Sequence, residues 1–166
     1  NLIEERRRIR TVLERLPEFE GDLVIAGMRG WHYEPILQRL RNSPRAASIR
    51  YLGYVPDGDL PALYAGAELF VFPSLYEGFG FPPLEAMLCG VPVLASRAGA
   101  LPEVLGEGAR LIEGFDADAW AEEIRRLLGG GAARRTLAAA GCAWAGRYTW
   151  RETARRTWAV YRKVGA

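Results

Sequence analysis

The sequence is poor in the residues that build disulfide frameworks, metal sites and nucleic-acid surfaces. Its two cysteines, Cys89 and Cys142, make neither a disulfide framework nor a metal-binding spacing, and a free, buried Cys89 suits a reducing compartment. His32 is the single histidine, so histidines alone cannot build a metal site. Because the net charge is only +2 and no basic stripe is interleaved with aromatic residues, we expect no nucleic-acid partner.

Long apolar runs are also missing. No stretch approaches the length that crosses a bilayer, and no segment has the pattern of a signal peptide. At 166 residues, with 49% hydrophobic and 25% charged residues, the chain has the composition of an ordinary globular protein and enough length for a real core. We therefore expect a single domain over residues 1–166, in the cytoplasm.

An arginine-rich helix is predicted at residues 2–16, and Pro17 ends it. Apolar residues recur there at helical spacing, and four arginines between positions 6 and 10 lie mostly on the other side. The charged side either faces solvent or contacts an anionic membrane surface or a partner domain. Association with a membrane surface therefore stays open.

Strands and helices alternate along the rest of the chain. Short apolar runs predict strands at 23–26, 48–54, 69–72, 92–95 and 109–112. Three helices are predicted to close the chain, at 116–128, 132–144 and 150–164. The alternation indicates an α/β fold with a doubly wound, Rossmann-like parallel sheet and helices on both faces. Four aromatic residues are expected to pack in the core or in a seam between helices: Trp144, Trp150, Trp158 and Tyr161.

The stretch from residue 69 to residue 90 predicts a strand, a glycine loop and a helix start. Gly78 and Gly80 let the backbone bend freely after the strand. Pro82 and Pro83 suit the first turn of a helix, where amide donors have no intrahelical partner, and Gly90 is a natural stop. This geometry aims backbone N–H groups and a positive dipole end at an anion.

Two carboxylates belong to this stretch. Glu77 lies in the loop, and Glu85 is expected in the first helical turn. We expect both to face one crevice, one on each side of the glycine bend. A glutamate in a first helical turn is also stabilised by the helix dipole alone, so its position by itself does not establish ligand contact.

The words around these residues resemble a known family. Glu77-Gly-Phe-Gly…Glu85 is a Glu-x7-Glu pattern, and its surroundings are similar to the nucleotide-sugar half of retaining glycosyltransferases of family 4, which have the GT-B fold. Further family-like words lie at 23–31, 51–63 and 91–104. The resemblance implies transfer of a mannose- or glucose-type hexose from a nucleoside-diphosphate sugar to a glycan or lipid-linked acceptor. It implies no metal or other cofactor, and we expect the isolated domain to be inactive.

The resemblance also assigns roles within the loop and the helix start. Glu85 would take the two ribose hydroxyls, and Glu77 a hydroxyl of the donor sugar, since an ionised carboxylate offers two acceptor oxygens. The amides that follow Gly78 would meet the sugar, and that of Leu84 the diphosphate. The amides assigned to the sugar are those of Phe79, Gly80 and Phe81.

The base and the phosphates are assigned to two other loops. By resemblance, the loop from Tyr54 to Asp57 holds the base, with Val55 packed on its face. Asp57 would accept hydrogen bonds from a guanine, or it serves only as a turn residue. Gly27 and Arg29 follow the first strand, where open α/β sheets bind ligands. Arg29 either pairs with a phosphate or is only solvated.

Two parts of the family pattern are absent, namely the acceptor domain and the opening strand with the Arg and Lys that grip the pyrophosphate. The family's sheet has the order 3-2-1-4-5-6, so loss of the first strand predicts a gap in its middle. Three outcomes are open: a longer N-terminus, a strand from another molecule, or a sheet closed up in a changed order. We favour the first, together with an acceptor domain of the same enzyme as partner.

Other functions remain possible on this fold. One is a different enzyme, such as a nucleotide-sugar epimerase or a glycan phosphorylase. A phosphorylase needs a lysine for pyridoxal phosphate, and the scarcity of lysine argues against it. The other is a non-catalytic nucleotide-binding or interaction module with a vestigial crevice.

Overall fold

A computed structural model describes residues 21–28 and 33–165 of the chain. The predicted helix at 2–16, Arg29 and Gly30 lie outside the described residues. The strands of the described part are β1 (Leu23–Ala26), β2 (Ile49–Gly53), β3 (Phe70–Phe72), β4 (Val93–Ser96) and β5 (Arg110–Ile112). Its helices are α1 (Glu34–Arg41), α2 (Leu60–Ala65), α3 (Phe81–Leu88), α4 (Leu101–Leu105), α5 (Ala117–Gly129), α6 (Gly131–Ala145) and α7 (Trp150–Val164).

All strand pairs are parallel, which confirms the predicted α/β class. β1 pairs with β2, with Leu23 opposite Ile49 and a register shift at the end of β1. β3, β4 and β5 form a second sheet in that order. Parallel strands end on the same edge of a sheet, so the loops after them collect there.

The break between the two sheets falls where the sequence predicts a gap. Within the described part of the chain, β1 is hydrogen-bonded only to β2, and β3 only to β4. The orders β2-β1 and β3-β4-β5 are what remains of 3-2-1-4-5-6 when its first strand is removed. The alternative in which the sheet closes up in a changed order is therefore wrong for these strands.

The hydrophobic core surrounds β4, which is buried at every position. Its side chains alternate, as in any strand. Val93 and Ala95 join the cluster that α3 covers with Leu84 and Met87. Leu94 faces the opposite cluster, which α5 covers. Helices on both faces explain why this strand is buried at every position, including the polar Ser96 at its end.

The end of α3 matches its prediction. Gly90 has φ 75°, its N–H donates to the Met87 carbonyl at 2.9 Å, and the N–H of Val91 donates to the Ala86 carbonyl at 3.0 Å. These two bonds form a Schellman motif, which ends a helix on a left-handed glycine.

The aromatic residues of the last two helices divide into two groups. Trp144 is partly buried and donates its indole N–H to the Val104 carbonyl at 2.9 Å, as expected of a packed residue. Trp150, Trp158 and Tyr161 are 87%, 65% and 65% exposed, so their predicted burial is wrong. Their spacing makes an apolar stripe on α7, but no element of the described chain buries it.

Two helices differ in how the side chain of the cap residue is used. Thr149 accepts a hydrogen bond from the Glu152 N–H, but the Glu152 carboxylate binds Arg155 and Arg156, which lie on its own helix. Asp59 is the cap residue of α2 without a side-chain cap bond. Among the described residues, no helix combines the length and the apolar character that crossing a bilayer requires.

Candidate functional site

The glycine loop, residues 73–80, joins β3 to α3 at the carboxyl edge of the larger sheet. Gly80 caps the helix with φ 96° and ψ 57°, a left-handed conformation. A Cβ at this position would lie 2.6 Å from Cδ2 of the buried Leu101. Both the backbone angle and the contact require glycine, so the predicted bend is confirmed at Gly80.

The left-handed cap changes the start of α3. In every other helix of the described chain, the N–H four residues after the cap donates to the carbonyl of the cap residue. The donors are Leu37, Leu63, Val104, Trp120, Arg134 and Thr153. The corresponding bond from Leu84 to Gly80 is missing among the described backbone bonds. Pro82 and Pro83 have no N–H, so the helix start offers few amides, and Leu84 is not tied to the cap carbonyl.

Glu77 is half-buried and held by a serine three residues earlier. The hydroxyl of Ser74 donates to Oε1 of Glu77 at 2.8 Å and lies 3.3 Å from the Tyr76 carbonyl. Since one hydroxyl has one proton, the shorter contact to the charged group is the stronger. The carbonyl of Ser74 in turn accepts a hydrogen bond from the hydroxyl of Ser96, which is 1% exposed. The serine that holds the carboxylate is therefore itself held, through its backbone carbonyl, by a buried hydroxyl.

Glu85 is exposed and held by a tyrosine of another helix. The hydroxyl of Tyr64, on α2, donates to Oε2 of Glu85 at 3.0 Å. The ring of Tyr64 packs edge-on against Phe70, with 5.5 Å between centroids. Burial, and then the hydrogen bond and negative charge of Glu85, raise the pKa of Tyr64 well above its usual value. The tyrosine therefore keeps its proton and remains a donor.

The expected place of Glu85 in the first helical turn is wrong. α3 begins at Phe81, one residue before the Pro82 and Pro83 pair, and its first turn contains no acidic residue. Glu85 is the fifth residue of the helix, where the dipole acts weakly because its effect falls off within the first turn. Tyr64 is thus the observed partner of this carboxylate.

Phe79 anchors the glycine loop to the core. Phe79 is half-buried, lies 4.8 Å from Phe81 between ring centroids, and meets Tyr148 edge-on at 5.8 Å. Phe81 itself is 62% exposed, and Gly78 faces solvent. The packing of Phe79 therefore holds the backbone in place between Glu77 and Glu85.

The loops after β1 and β2 lie side by side. The N–H of Gly27 donates to the Gly53 carbonyl at 2.8 Å, and the Tyr51 hydroxyl donates to the Gly27 carbonyl at 2.9 Å. Tyr54 is 67% exposed, Val55 is half-buried, and Asp57 is exposed. The predicted base loop is therefore accessible.

Arg97, directly after β4, pairs with Glu113 across 3.4 Å. Residues 21–28 and 33–165 contain no group of three or more His, Cys, Asp or Glu side chains that could hold a metal ion. The described site is thus built from carboxylates, hydroxyls and backbone amides.

Sequence reasoning missed the residues that hold the two acids. Tyr64 and Ser96 were visible only as members of a helix and a strand, because their contacts cross 21 and 22 residues of chain. Ser74 is different, since a serine three residues before a glutamate in a loop is a local signal.

Comparison with known proteins identifies the family. The model of the family described as "Glycosyl transferases group 1" matches residues 1–129. The O-antigen chain mannosyltransferase B of Escherichia coli is 41% identical over 166 residues, which cover 96% of this chain and 44% of that protein. The MMP alpha-(1->4)-mannosyltransferase of Mycolicibacterium hassiacum is 46% identical over 112 residues, 65% of this chain and 27% of that protein.

Solved structures agree on the fold. Sucrose-phosphate synthase from Thermosynechococcus elongatus matches with a TM-score of 0.85 and 27% identity, over 96% of this chain and 42% of that one. Anabaena HepE, in complex with UDP and glucose, matches in fold with a TM-score of 0.75 and 24% identity, over 85% of this chain and 40% of that one. This chain spans less than half the length of these four proteins. The chain belongs to the group 1 glycosyltransferases, and its α/β fold matches a part of their GT-B architecture.

Proposed function

We propose that this chain binds the donor, a nucleoside-diphosphate sugar, of a retaining hexosyltransferase. The observation that carries the proposal is the pair of carboxylates that flank the left-handed Gly80, each held by a hydroxyl. Glu77 accepts from Ser74, and Glu85 accepts from Tyr64. A carboxylate held in this way keeps further acceptor sites for the hydroxyls of a ligand.

The start of α3 is the proposed place of the diphosphate. A helix N-terminus favours negative charge, and the Leu84 N–H, which the Gly80 carbonyl does not take, is the proposed donor. Stabilisation of charge on the leaving diphosphate is the main demand of this chemistry on the protein. Because two of the first amides are replaced by Pro82 and Pro83, cationic side chains must complete the site. Arg29 is the proposed contributor from this chain.

Mannose is the proposed sugar, and a glycan or lipid-linked molecule the proposed acceptor. Mannosyltransferases are prominent among the similar proteins, and one of them is described as acting on an O-antigen chain. The exposed Asp57, at the end of the proposed base loop, would accept hydrogen bonds from guanine, so GDP-mannose is the donor to test first. Since the Anabaena neighbour is in complex with UDP and glucose, UDP-glucose is the comparison donor.

The assignment of Glu85 is tested by calorimetry. Two hydrogen bonds from ribose to a carboxylate are worth about 1.5–3 kcal/mol each. Truncation in Glu85→Ala should therefore raise the Kd of a nucleoside diphosphate by at least roughly 100-fold. Thermal unfolding should stay close to the wild type, because Glu85 is exposed. An unchanged Kd would refute the role.

A matched control exists at the opposite edge of the sheet. Glu107 is an exposed carboxylate in the turn that precedes β5, at the amino end of that strand. Glu107→Ala should leave the Kd unchanged. If both variants weakened binding equally, loss of charge rather than loss of a specific contact would be the cause.

The roles of Glu77 and Glu85 are distinguished by the choice of ligand in the binding assay. If Glu77 binds the donor sugar, Glu77→Gln should weaken binding of the intact nucleotide sugar. Binding of the nucleoside diphosphate should not change. In the whole enzyme, with its acceptor domain, NMR of the product should show the anomeric configuration of the donor. Inversion would remove the retaining mechanism from the proposal.

The rival functions have distinct outcomes in the same assays. A non-catalytic module with a vestigial crevice would bind none of the UDP, GDP or ADP sugars in a thermal-shift screen. An epimerase would convert the nucleotide sugar without an acceptor. Donor-dependent transfer to an acceptor supports the proposal against both.

A further inference from the structure

The glycine loop packs against the segment of chain that follows β4. We call residues 96–101 the floor segment; it comprises the last residue of β4, the turn after it and the first residue of α4. It follows β4 directly, so it lies beside the loop that follows β3, because the two strands pair in parallel.

The floor segment contacts the glycine loop at three points, near its beginning, middle and end. Ser96 donates to the Ser74 carbonyl. The N–H of Ala100 donates to the Glu77 carbonyl at 3.0 Å. Leu101 lies directly under Gly80. The middle contact is made to the backbone of a proposed sugar-binding residue.

Gly99 makes that middle contact possible. It has φ 55°, and a Cβ built on it would lie 2.8 Å from both the N and the O of Glu77. These are backbone atoms, which cannot swing aside as a flexible side chain can. Any side chain at Gly99 therefore has to push Glu77 away or break the bond from Ala100.

We propose that Gly99 is a positioning residue for Glu77. By lacking a side chain, it lets the floor segment approach the Glu77 backbone closely enough for the Ala100 bond. That contact, together with the Ser74 bond, sets where the carboxylate meets the donor sugar. The inference rests on the proposed function, in which Glu77 accepts a hydroxyl of that sugar.

A matched control separates contact from backbone strain. Gly114 follows β5, has φ 69°, and a Cβ there would meet nothing within 4 Å. Gly99→Ala and Gly114→Ala thus place alanine in the same unfavourable left-handed region. Only Gly99→Ala also collides with Glu77.

The experiment compares affinity for two ligands in the whole enzyme. Displacement of a catalytic group by about 1 Å can cost roughly 100-fold. Gly99→Ala should weaken binding of the intact nucleotide sugar and lower kcat, each by at least about tenfold. The Kd of the nucleoside diphosphate should stay within about twofold of the wild-type value. Gly114→Ala should lower Tm by a similar amount and change the affinity for neither ligand. Equal behaviour of the two variants would overturn the proposal.

A double-mutant cycle tests whether Gly99 acts through Glu77. In the Glu77→Gln background, Gly99→Ala should have no further effect on sugar affinity, because residues that act as a unit are not additive. Full additivity would overturn the inference. If Glu77→Gln alone leaves sugar affinity unchanged, the proposed function of Glu77 fails and the inference fails with it. If Glu77→Gln weakens binding of the nucleotide sugar but Gly99→Ala does not, only the positioning role of Gly99 fails.

Ala100→Pro is a second variant, should Gly99→Ala not fold. Ala100 has φ −78°, which proline tolerates, and proline removes the N–H that binds Glu77. The same selective loss of the nucleotide sugar is expected. Wild-type affinity in this variant would show that the floor segment does not set the carboxylate.

Discussion

Each acidic residue of the candidate site depends on a hydroxyl that fixes it. Ser74 is local to Glu77, whereas Tyr64 reaches Glu85 from a different helix. A bond to a carboxylate orients it and uses only part of its acceptor capacity, so oxygen lone pairs remain for a ligand. Loss of such a partner should weaken binding without removing the acid.

Tyr64→Phe tests this at Glu85. The variant keeps the ring that packs on Phe70 and removes only the hydroxyl. A net hydrogen bond is worth about 1 kcal/mol, so the Kd of a nucleoside diphosphate should rise roughly fivefold. Calorimetry with a 2′,3′-dideoxy nucleotide provides the control. Because that ligand has no ribose hydroxyls for Glu85, its Kd should not change.

An equal loss for both nucleotides would contradict the role of Tyr64. It would indicate that the hydroxyl supports the fold around α2 and α3 rather than the orientation of Glu85. The raised pKa of Tyr64 makes the comparison simple, since the hydroxyl remains protonated at neutral pH.

At the scale of elements, one carboxylate joins β5 to α5. Glu123 accepts hydrogen bonds from Arg110, on the strand, and from Arg126, on its own helix. The hydrogen bond from Arg110 is the main cause that lowers the pKa of Glu123, with a further lowering by Arg126 and an opposing effect of burial. The ionised form is therefore the one that stabilises the fold.

The pH dependence of stability should reveal this link. A lowered pKa contributes stability that is present above the unfolded value of 4.5 and is lost as the pH falls through the folded value. Glu123→Gln should lower the free energy of unfolding at pH 7 by about 1 kcal/mol, since the arginines are half-exposed. The difference from wild type should shrink in acid, as measured by urea unfolding.

Glu122→Gln is the control for this prediction. Among the described residues, Glu122 forms its ion pair within α5, with Arg125, and its side chain is 72% exposed. Its substitution should change stability little at any pH. A Glu123→Gln variant that behaves like Glu122→Gln would contradict the link between strand and helix.

The whole molecule is stabilised unevenly. Every buried hydrophobic residue of the described chain lies between positions 84 and 145, while β1 and β2 alternate half-buried and exposed residues. β1 and β3, which flank the break in strand order, also have a single strand partner each within the described residues. Local opening should therefore be easier in the part built from β1, β2 and α1.

Hydrogen exchange measures this directly. Amides of β1 and β2 should exchange at least about tenfold faster than those of β4, because local opening free energies follow buried contacts. β3, an edge strand joined to β4, provides the internal comparison and should lie between. Equal protection across the two sheets would mean that contacts outside the described residues stabilise β1 and β2.

The sequence by itself determined the local features, because they depend on residues close together in the chain. The five strands, the bend at Gly80 and the stop at Gly90 follow from apolar runs, glycines and prolines within short windows. The break in strand order was implied by the resemblance to the family. Helix boundaries shifted by a residue, which was enough to move Glu85 out of the first turn.

Only the tertiary structure decided which residues hold the two acids and which surface is left uncovered. Tyr64, Ser96 and Gly99 reach their partners across 21 or 22 residues, and no local pattern encodes those approaches. The apolar stripe of α7 is a second feature that the sequence alone could not decide. The spacing of Trp150 and Trp158 indicates that they share an apolar face. Whether that face is buried depends on which element packs against it.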